Sequence, residues 1–258
     1  KRQLPDHGIS PQGPVLMAML ERLRHMAAFG RSPLGLLVDP FYLARRALFR
    51  MVSEQAHHVR GAVLDVGCGS KPYRELFACQ SYTGVEVVVD SKGGDLPDCY
   101  YDGKTLPFAN AHFDSVVCNQ VLEHVFDPDN FLGEIHRVTA PEGTLLLTVP
   151  FAWNEHEQPW DYARYSSFGL KHLLARNGFE LHGQYKTLGG IGVCFQLMNA
   201  YLFELLHSRS RVLNLLVLLT LMVPVTLLGL VLDTLLPRSD SLYLDNVIVA
   251  SKREKTDD

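Results

Sequence analysis

Apolar positions recur along this chain in short blocks parted by polar, glycine-containing turns. Ala62–Val66, Tyr82–Val89, Phe113–Cys118 and Thr144–Val149 are runs rich in branched side chains, the form a strand takes when both its faces are covered. Between and around them the period lengthens. Val15–Phe29, Pro40–Val59, Lys71–Cys79, Pro128–Thr139 and Ser166–Asn177 read as helices. The second has Asp39 as N-cap with Pro40 at the first helical position, and the last closes at Gly178. Phe179–Thr187 and Tyr243–Ser251 supply two further strands. Strands alternating with helices predict an α/β fold, a mostly parallel sheet with helices on both faces. Residues 1–13 read as a loose polar arm, and Lys252–Asp258 as a frayed charged tail.

One stretch breaks this rhythm. The region 193–236 is a long apolar helical pattern, and within it Val212–Leu232 has no charged residue over 21 positions. That meets the length of about 20 residues needed to cross a bilayer. A single crossing would leave the strand at Tyr243–Ser251 on the wrong side. Pro224 predicts a kink or break, and halves of a dozen residues would each reach only about 18 Å. Three readings stay open: a monotopic dip into one leaflet, packing against a second subunit, or a roof over a lipophilic substrate. A true hairpin, with Ile191–His207 going in and Val212–Leu232 coming out, stays open beside them, although its first limb is short and carries Glu204. Lipid or membrane association is favoured over a homodimer contact.

Composition narrows the function classes. The 258 residues are 47% apolar and 20% charged, as in globular domains. Lys and Arg number 24 against 28 Asp and Glu, a net charge of −4, so no basic excess points to a nucleic-acid partner. Five scattered cysteines form no CxxC pair, which excludes a zinc ribbon and favours a reducing compartment. No charged-then-apolar leader opens the sequence, although a chain starting at Lys1 leaves preceding residues open. The expected location is cytoplasmic, at the inner face of a membrane if 193–236 touches lipid. The histidines show no ligand spacing, so no metal is expected.

The sharpest motif is Val63-Leu64-Asp65-Val66-Gly67-Cys68-Gly69-Ser70, a strand entering a glycine turn that should open a helix whose amides face a ligand. Pro72 stands where a dinucleotide fingerprint needs its third glycine, which disfavours a nicotinamide cofactor and leaves another nucleoside open. About twenty residues on, Glu86 ends the second strand and can accept hydrogen bonds from ribose hydroxyls, with Asp90 as the rival carboxylate. Two further segments follow, Asp102-Gly103-Lys104-Thr105-Leu106-Pro107-Phe108 and Phe113 through Val125, the latter containing Asn119-Gln120-Val121-Leu122-Glu123-His124.

In this order the motifs resemble class I S-adenosylmethionine-dependent methyltransferases, of the type 11 subfamily similar to the ubiquinone- and menaquinone-biosynthesis enzymes. The resemblance covers about residues 60–190 plus the final strand. It implies a Rossmann-like seven-strand mixed sheet, the last strand antiparallel beside the sixth, with the apolar helical insertion before that last strand. It divides the chain into an N-terminal arm and helices acting as cap or lid (1–60), an S-adenosyl-L-methionine-binding core (61–190), the insertion (191–240), and the last strand with its tail (241–258). It places Asp65, Gly67, Cys68 and Gly69 around the cofactor's methionine part and Glu86 at the ribose. Asp102 and Gly103 would meet the adenine, and Asn119 and Gln120 the floor of the site. Lys71, where the family has small residues, reads as a solvated helix-start residue. Asp114 is expected to bond a loop, Glu123-His124 to be structural, and Leu106 and Phe108 to be core or adenine-wall residues.

Methyl transfer needs an acceptor held in line, and an oxygen acceptor must also lose a proton. The segment Pro150–Tyr165 is dense in suitable groups: His156 is the first choice of base and Asp161 the second, while Arg164 and Tyr165 would orient the acceptor. An Asp161–Arg164 pair that merely pins the loop is an equal alternative. The function expected is transfer of a methyl group to a small or lipophilic acceptor, O-methylation ahead of C-methylation, releasing S-adenosylhomocysteine. Its rivals are a non-catalytic membrane scaffold that keeps the fold and, third, a nucleotide-dependent oxidoreductase.

Overall fold

A computed structural model describes residues 33–87, 97–237 and 239–253. The expected helix at 15–29 and the rival carboxylate Asp90 lie outside the described residues. Seven strands form one sheet: β1 (Gly61–Val66), β2 (Cys79–Val87), β3 (Cys99–Tyr101), β4 (Phe113–Asn119), β5 (Thr139–Pro150), β6 (Phe179–Lys186) and β7 (Asp245–Lys252). Their order is β3-β2-β1-β4-β5-β7-β6, parallel throughout except for β7, which runs antiparallel between β5 and β6. The order reverses at β1/β4, which opens a crevice at the carboxyl ends of those strands, where ligands of such sheets bind.

Alternate residues of each central strand feed opposite cores. Leu64, Val116, Leu145 and Leu147 pack beneath two helices, α2 (Pro128–Val138) and α3 (Ser167–Arg176). Asp127 caps α2 by accepting from Asn130 N at 3.1 Å, with Pro128 at the first helical position, and Ser166 caps α3 at Gly169 N. On the other face Val63, Val117, Leu146 and Val249 meet Leu48 and Val52 of α1 (Tyr42–Gln55). Thus α1 is a core helix rather than a lid over the site. It starts two residues later than the pattern implies, and Asp39 accepts from Phe41 N at 2.9 Å.

Two expectations fail for backbone reasons. No helix follows the glycine turn: Gly69 and Lys71 both have positive φ (47° and 53°), and Pro72 follows. Neither conformation continues a right-handed helix. Only a 3-10 turn at Arg74–Leu76 forms, and β2 begins at Cys79. In the insertion, α4 (Ile191–Leu206), α5 (Arg211–Val217) and α6 (Val223–Leu235) make a hairpin, and Pro224 does not break its second limb. A π turn at Leu218–Met222 joins α5 to α6. The wider turn makes room for the proline ring against the preceding carbonyls, so the apolar stretch runs unbroken over Val212–Leu235, 24 residues. The limbs are antiparallel: Asn199 Nδ2 donates to Thr226 Oγ1 at 2.7 Å, and Phe195 closes on Gly229.

Candidate active site

The first half of the site is the turn after β1. Gly67 has φ 69°, and a Cβ there would lie 2.3 Å from Val121, so the loop after β4 packs directly on it. Gly67 N and Cys68 N donate to Val85 O, which ties the turn to β2. Gly69 is different: its φ is 47°, and the space where a Cβ would stand is open. Glu86 reaches this spot from the end of β2, its Oε2 accepting from Gly69 N at 3.0 Å and its Oε1 from Val87 N at 3.1 Å. The glycine turn and the acidic residue singled out in the sequence therefore meet. An open cradle with a half-buried carboxylate at its rim fits an adenosyl group with ribose hydroxyls to satisfy.

Other members of the set have local duties. Asp65 is buried beneath the turn and accepts from Tyr82 Oη at 2.5 Å; burial pushes its pKa to about 7. Its place is beneath the glycine turn, bonded to β2. Cys68 is buried as well, its thiol pushed up to about 12 by desolvation, so it is inert. Asp102 is exposed after β3, and its Oδ1 closes a turn by accepting from Lys104 N and Thr105 N at 2.9 and 2.8 Å. Those amides hold its pKa below the usual carboxylate value. Gly103 in the same turn has φ 78°, which a glycine adopts freely. Asn119 and Gln120 are tied to strand β5: Asn119 Oδ1 accepts from Thr148 Oγ1, and Gln120 donates to it through N and Nε2, both at 3.2 Å.

Lys71 is not a solvated residue. Its side chain crosses β2 above Gly84, where any Cβ would lie 2.5 Å from Lys71 Cε, and its Nζ pairs with Asp98 at 2.8 Å. Asp98 also accepts from Gly84 N at 2.6 Å, and this bond, then Lys71, holds its pKa down. Asp98 sits just before the three-residue β3, too short to read from its pattern, so sequence reasoning missed it. Asp114 bonds a strand rather than a loop, accepting from Ala62 N in β1. Leu106 and Phe108 join the core.

The second half is the loop after β5, laid over the loop after β4. Arg164 grips Asp161 through two parallel bonds of 2.5 and 2.6 Å and donates further to the carbonyls of Ala163 and Asn154. The guanidinium holds Asp161 at about 2, so this carboxylate is not a base near neutral pH. Arg164 has spent its donors inside the loop and is not left to orient an acceptor. Tyr165 packs its ring against the core, and its carbonyl accepts from Asn246 Nδ2. The pinning pair is what forms, and three of the four residues expected to act on the acceptor build the loop instead.

The fourth stays available. His156 has Asn154 O and Asp161 Oδ2 both 3.2 Å from Nδ1, two acceptors that place the proton on that nitrogen. Arg164 Nη2 lies 3.5 Å away, too far to compete. Nε2 then carries a lone pair, as a general base requires. Its ring stands edge-on to His124 with centroids 4.7 Å apart. His124 has the same arrangement, Nδ1 against Trp160 O at 3.0 Å. Beneath both lies Glu123, fully buried, its two carboxylate oxygens without a hydrogen-bond partner among the described residues. Burial raises its pKa to about 8. The residue was taken as structural; its backbone carbonyl does anchor the loop by accepting from Tyr162 N and Ala163 N.

Comparison with known proteins identifies the family and the fold. Residues 41–184 match the family described as "Methyltransferase domain". The chain is 30% identical over 206 residues to a malonyl-[acyl-carrier protein] O-methyltransferase of Chlorobium luteolum, covering 70% of this chain and 68% of that protein. It is 26% identical over 181 residues to a probable S-adenosylmethionine-dependent methyltransferase of Mycolicibacterium smegmatis, covering 62% and 67%. The share of such relatives that this chain spans falls as low as 41%, for a second malonyl-[acyl-carrier protein] O-methyltransferase, from Erwinia billingiae. Among solved structures, the [4+2]-cyclase SpnF superposes with a TM-score of 0.52 at 20% identity, over 81% of this chain and 82% of that one. That likeness concerns the fold, which by itself names no reaction.

Proposed function

The chain belongs to the methyltransferase domain family, and from that footing we propose that it methylates a hydroxyl group of a lipophilic acceptor. S-adenosylmethionine is the cofactor, supplying an electrophilic methyl on a sulfonium and leaving as S-adenosylhomocysteine. Gly69 and Glu86 would hold it by the open turn and the ribose. The chain's own work is to place the acceptor oxygen in line, exclude water and take the proton released as the O–C bond forms. The observation that carries this reading is the His156 ring, its Nδ1 3.2 Å from both the Asn154 carbonyl and the Asp161 carboxylate, which leaves Nε2 to take a proton. The names of the relatives support O-methylation.

A lipophilic acceptor is supported by what surrounds the loop. Phe41 stands edge-on to both Trp153 and Phe203, which joins the site loop to the first limb of the hairpin. Trp160 and Phe126 are exposed beside it. The likeness of the motif set to the ubiquinone- and menaquinone-type enzymes points the same way. The hairpin exposes Leu213, Leu215, Leu216, Leu221, Leu228 and Val231, on flanks wider than the single stripe that packs one helix on another. Lipid solvates such a surface on all sides, whereas a second copy would cover one stripe. This supports a position at the inner face of a membrane, with the site loop near the headgroups.

The test is His156→Gln, assayed by transfer of labelled methyl from S-adenosylmethionine to organic-extractable acceptor, with the product's O–CH3 group identified by NMR. Turnover should fall about 100-fold or more, with affinity for S-adenosylhomocysteine within twofold of wild type. Unchanged turnover would show that the acceptor arrives without a proton to lose, as a carboxylate does.

A further inference from the structure

We infer that Glu123, His124 and His156 form a site for one divalent transition-metal ion. One ligand atom from each of the three lies within 4.8 Å of the others. The orphaned carboxylate is the independent sign of a missing cation: Glu123 has no exposure, and neither oxygen has a hydrogen-bond partner among the described residues. The nearby guanidinium of Arg164 does not answer it, since its donors are committed to Asp161 and backbone carbonyls. A protonated carboxyl would not remove the deficit either, for its O–H would still need an acceptor.

Both histidines are set up as ligands. Each has its Nδ1 proton turned to an oxygen, Trp160 O for His124 and Asn154 O with the Asp161 carboxylate for His156. That leaves each Nε2 lone pair free, and a ring N–H held by a carbonyl or carboxylate is the usual support behind a metal-bound imidazole. His124 Nε2 is 3.9 Å from Glu123 Oε1 and 3.9 Å from Glu157 Oε2. Donors at about 2.0–2.1 Å from a tetrahedral ion lie roughly 3.4 Å apart, so the groups need to close by about half an ångström to about one and a half. Exposed Glu157 is placed to supply a fourth oxygen or to leave that position to acceptor or water. Two imidazoles and a carboxylate suit zinc, cobalt, manganese or iron rather than calcium or magnesium.

The ligands come from two loops far apart in the chain, so no spacing rule reveals them, and the sequence-based expectation of no metal rests only on such spacing. The inference depends on ligand placement, not on the methyl-transfer reading. A loaded ion would occupy His156 Nε2 and lower the pKa of a hydroxyl bound to it, replacing base by Lewis acid.

The experiment uses the metal alone, without cofactor or acceptor. Full-length protein is stripped with chelator, desalted and titrated with Co²⁺, followed by its visible absorption, then displaced with Zn²⁺. One equivalent of Co²⁺ with four- or five-coordinate intensity is expected. His156→Gln, on a half-exposed loop, should weaken binding at least tenfold with its thermal midpoint little changed, and Glu123→Gln should do the same where it folds. A His57→Gln/His58→Gln control, which removes a pair of neighbouring tilted rings, should bind as wild type does. No Co²⁺ uptake at millimolar metal, equal binding in His156→Gln, or loss of binding only in the control would each overturn the inference. Metal binding would turn His156 from a base into a ligand, whereas whether a methyl group is transferred at all is decided separately by the labelled-methyl assay.

Discussion

Glu86→Gln probes the cofactor half of the site with the least change of shape. In the native chain each carboxylate oxygen accepts one backbone amide, from Gly69 and from Val87. A carboxylate offers about four lone-pair directions, so about two remain, enough for the two hydroxyls of a ribose. Hydrogen bonds to a charged group contribute about 1.5–3 kcal/mol each. Glu86 is only half-buried, so water replaces part of the loss, and the low end is the proper choice: roughly 3 kcal/mol for the pair, or about 100-fold in Kd. Glutamine does not rescue this, because it keeps one acceptor oxygen and turns an NH2 toward an amide that is itself a donor. Calorimetric titration with S-adenosylhomocysteine should show an affinity lowered about 100-fold, with the thermal midpoint nearly unchanged. Affinity within twofold of wild type would refute the argument and free Glu86 from the ribose.

Two further outcomes are expected. Asp161→Asn should cost about 2 kcal/mol at pH 7, since the Arg164 pair lowers the carboxyl from 3.8 to about 2 and each unit is worth about 1.4 kcal/mol. A depressed pKa stabilises above the unfolded value and loses its effect as pH falls through the folded one. The wild type should therefore converge on the variant between about pH 4 and pH 2, and equal urea midpoints at pH 7 would remove the pair from the stability account. In the hairpin, Leu216→Lys with Leu228→Lys alters two residues about half exposed, so the fold should hold. Charges in hydrocarbon cost about 3 kcal/mol apiece, so flotation with phospholipid vesicles, expected of the wild type, should be lost. A wild type that stays out of the lipid fraction and elutes as a dimer would assign the surface to a second copy.

How much of the site was legible follows from the range of each interaction. Gly67, Gly69 and Glu86 could be read because a turn that must admit a ligand and a strand-end carboxylate are properties of short segments. The roles of Asp161 and Arg164 could not, since a carboxylate three residues from a guanidinium reads alike as base or as pin until the loop closes. Lys71 and Asp98 meet only because β2 passes under them at a glycine. Glu123 reads as a structural acid; its burial depends on the later loop folding across it.

By itself the sequence determined the alternation of doubly covered strands with helices, the glycine turn and its acidic partner, and an apolar stretch long enough for a membrane. These are patterns of burial and backbone freedom, which each residue carries locally. Tertiary structure decided that no helix follows the turn, that the proline of the insertion is absorbed by a π turn, and that Glu123, His124 and His156 converge. Those outcomes depend on which loops close over one another, and the cost of leaving a buried carboxylate or carbonyl without a partner is set only when the chain is folded.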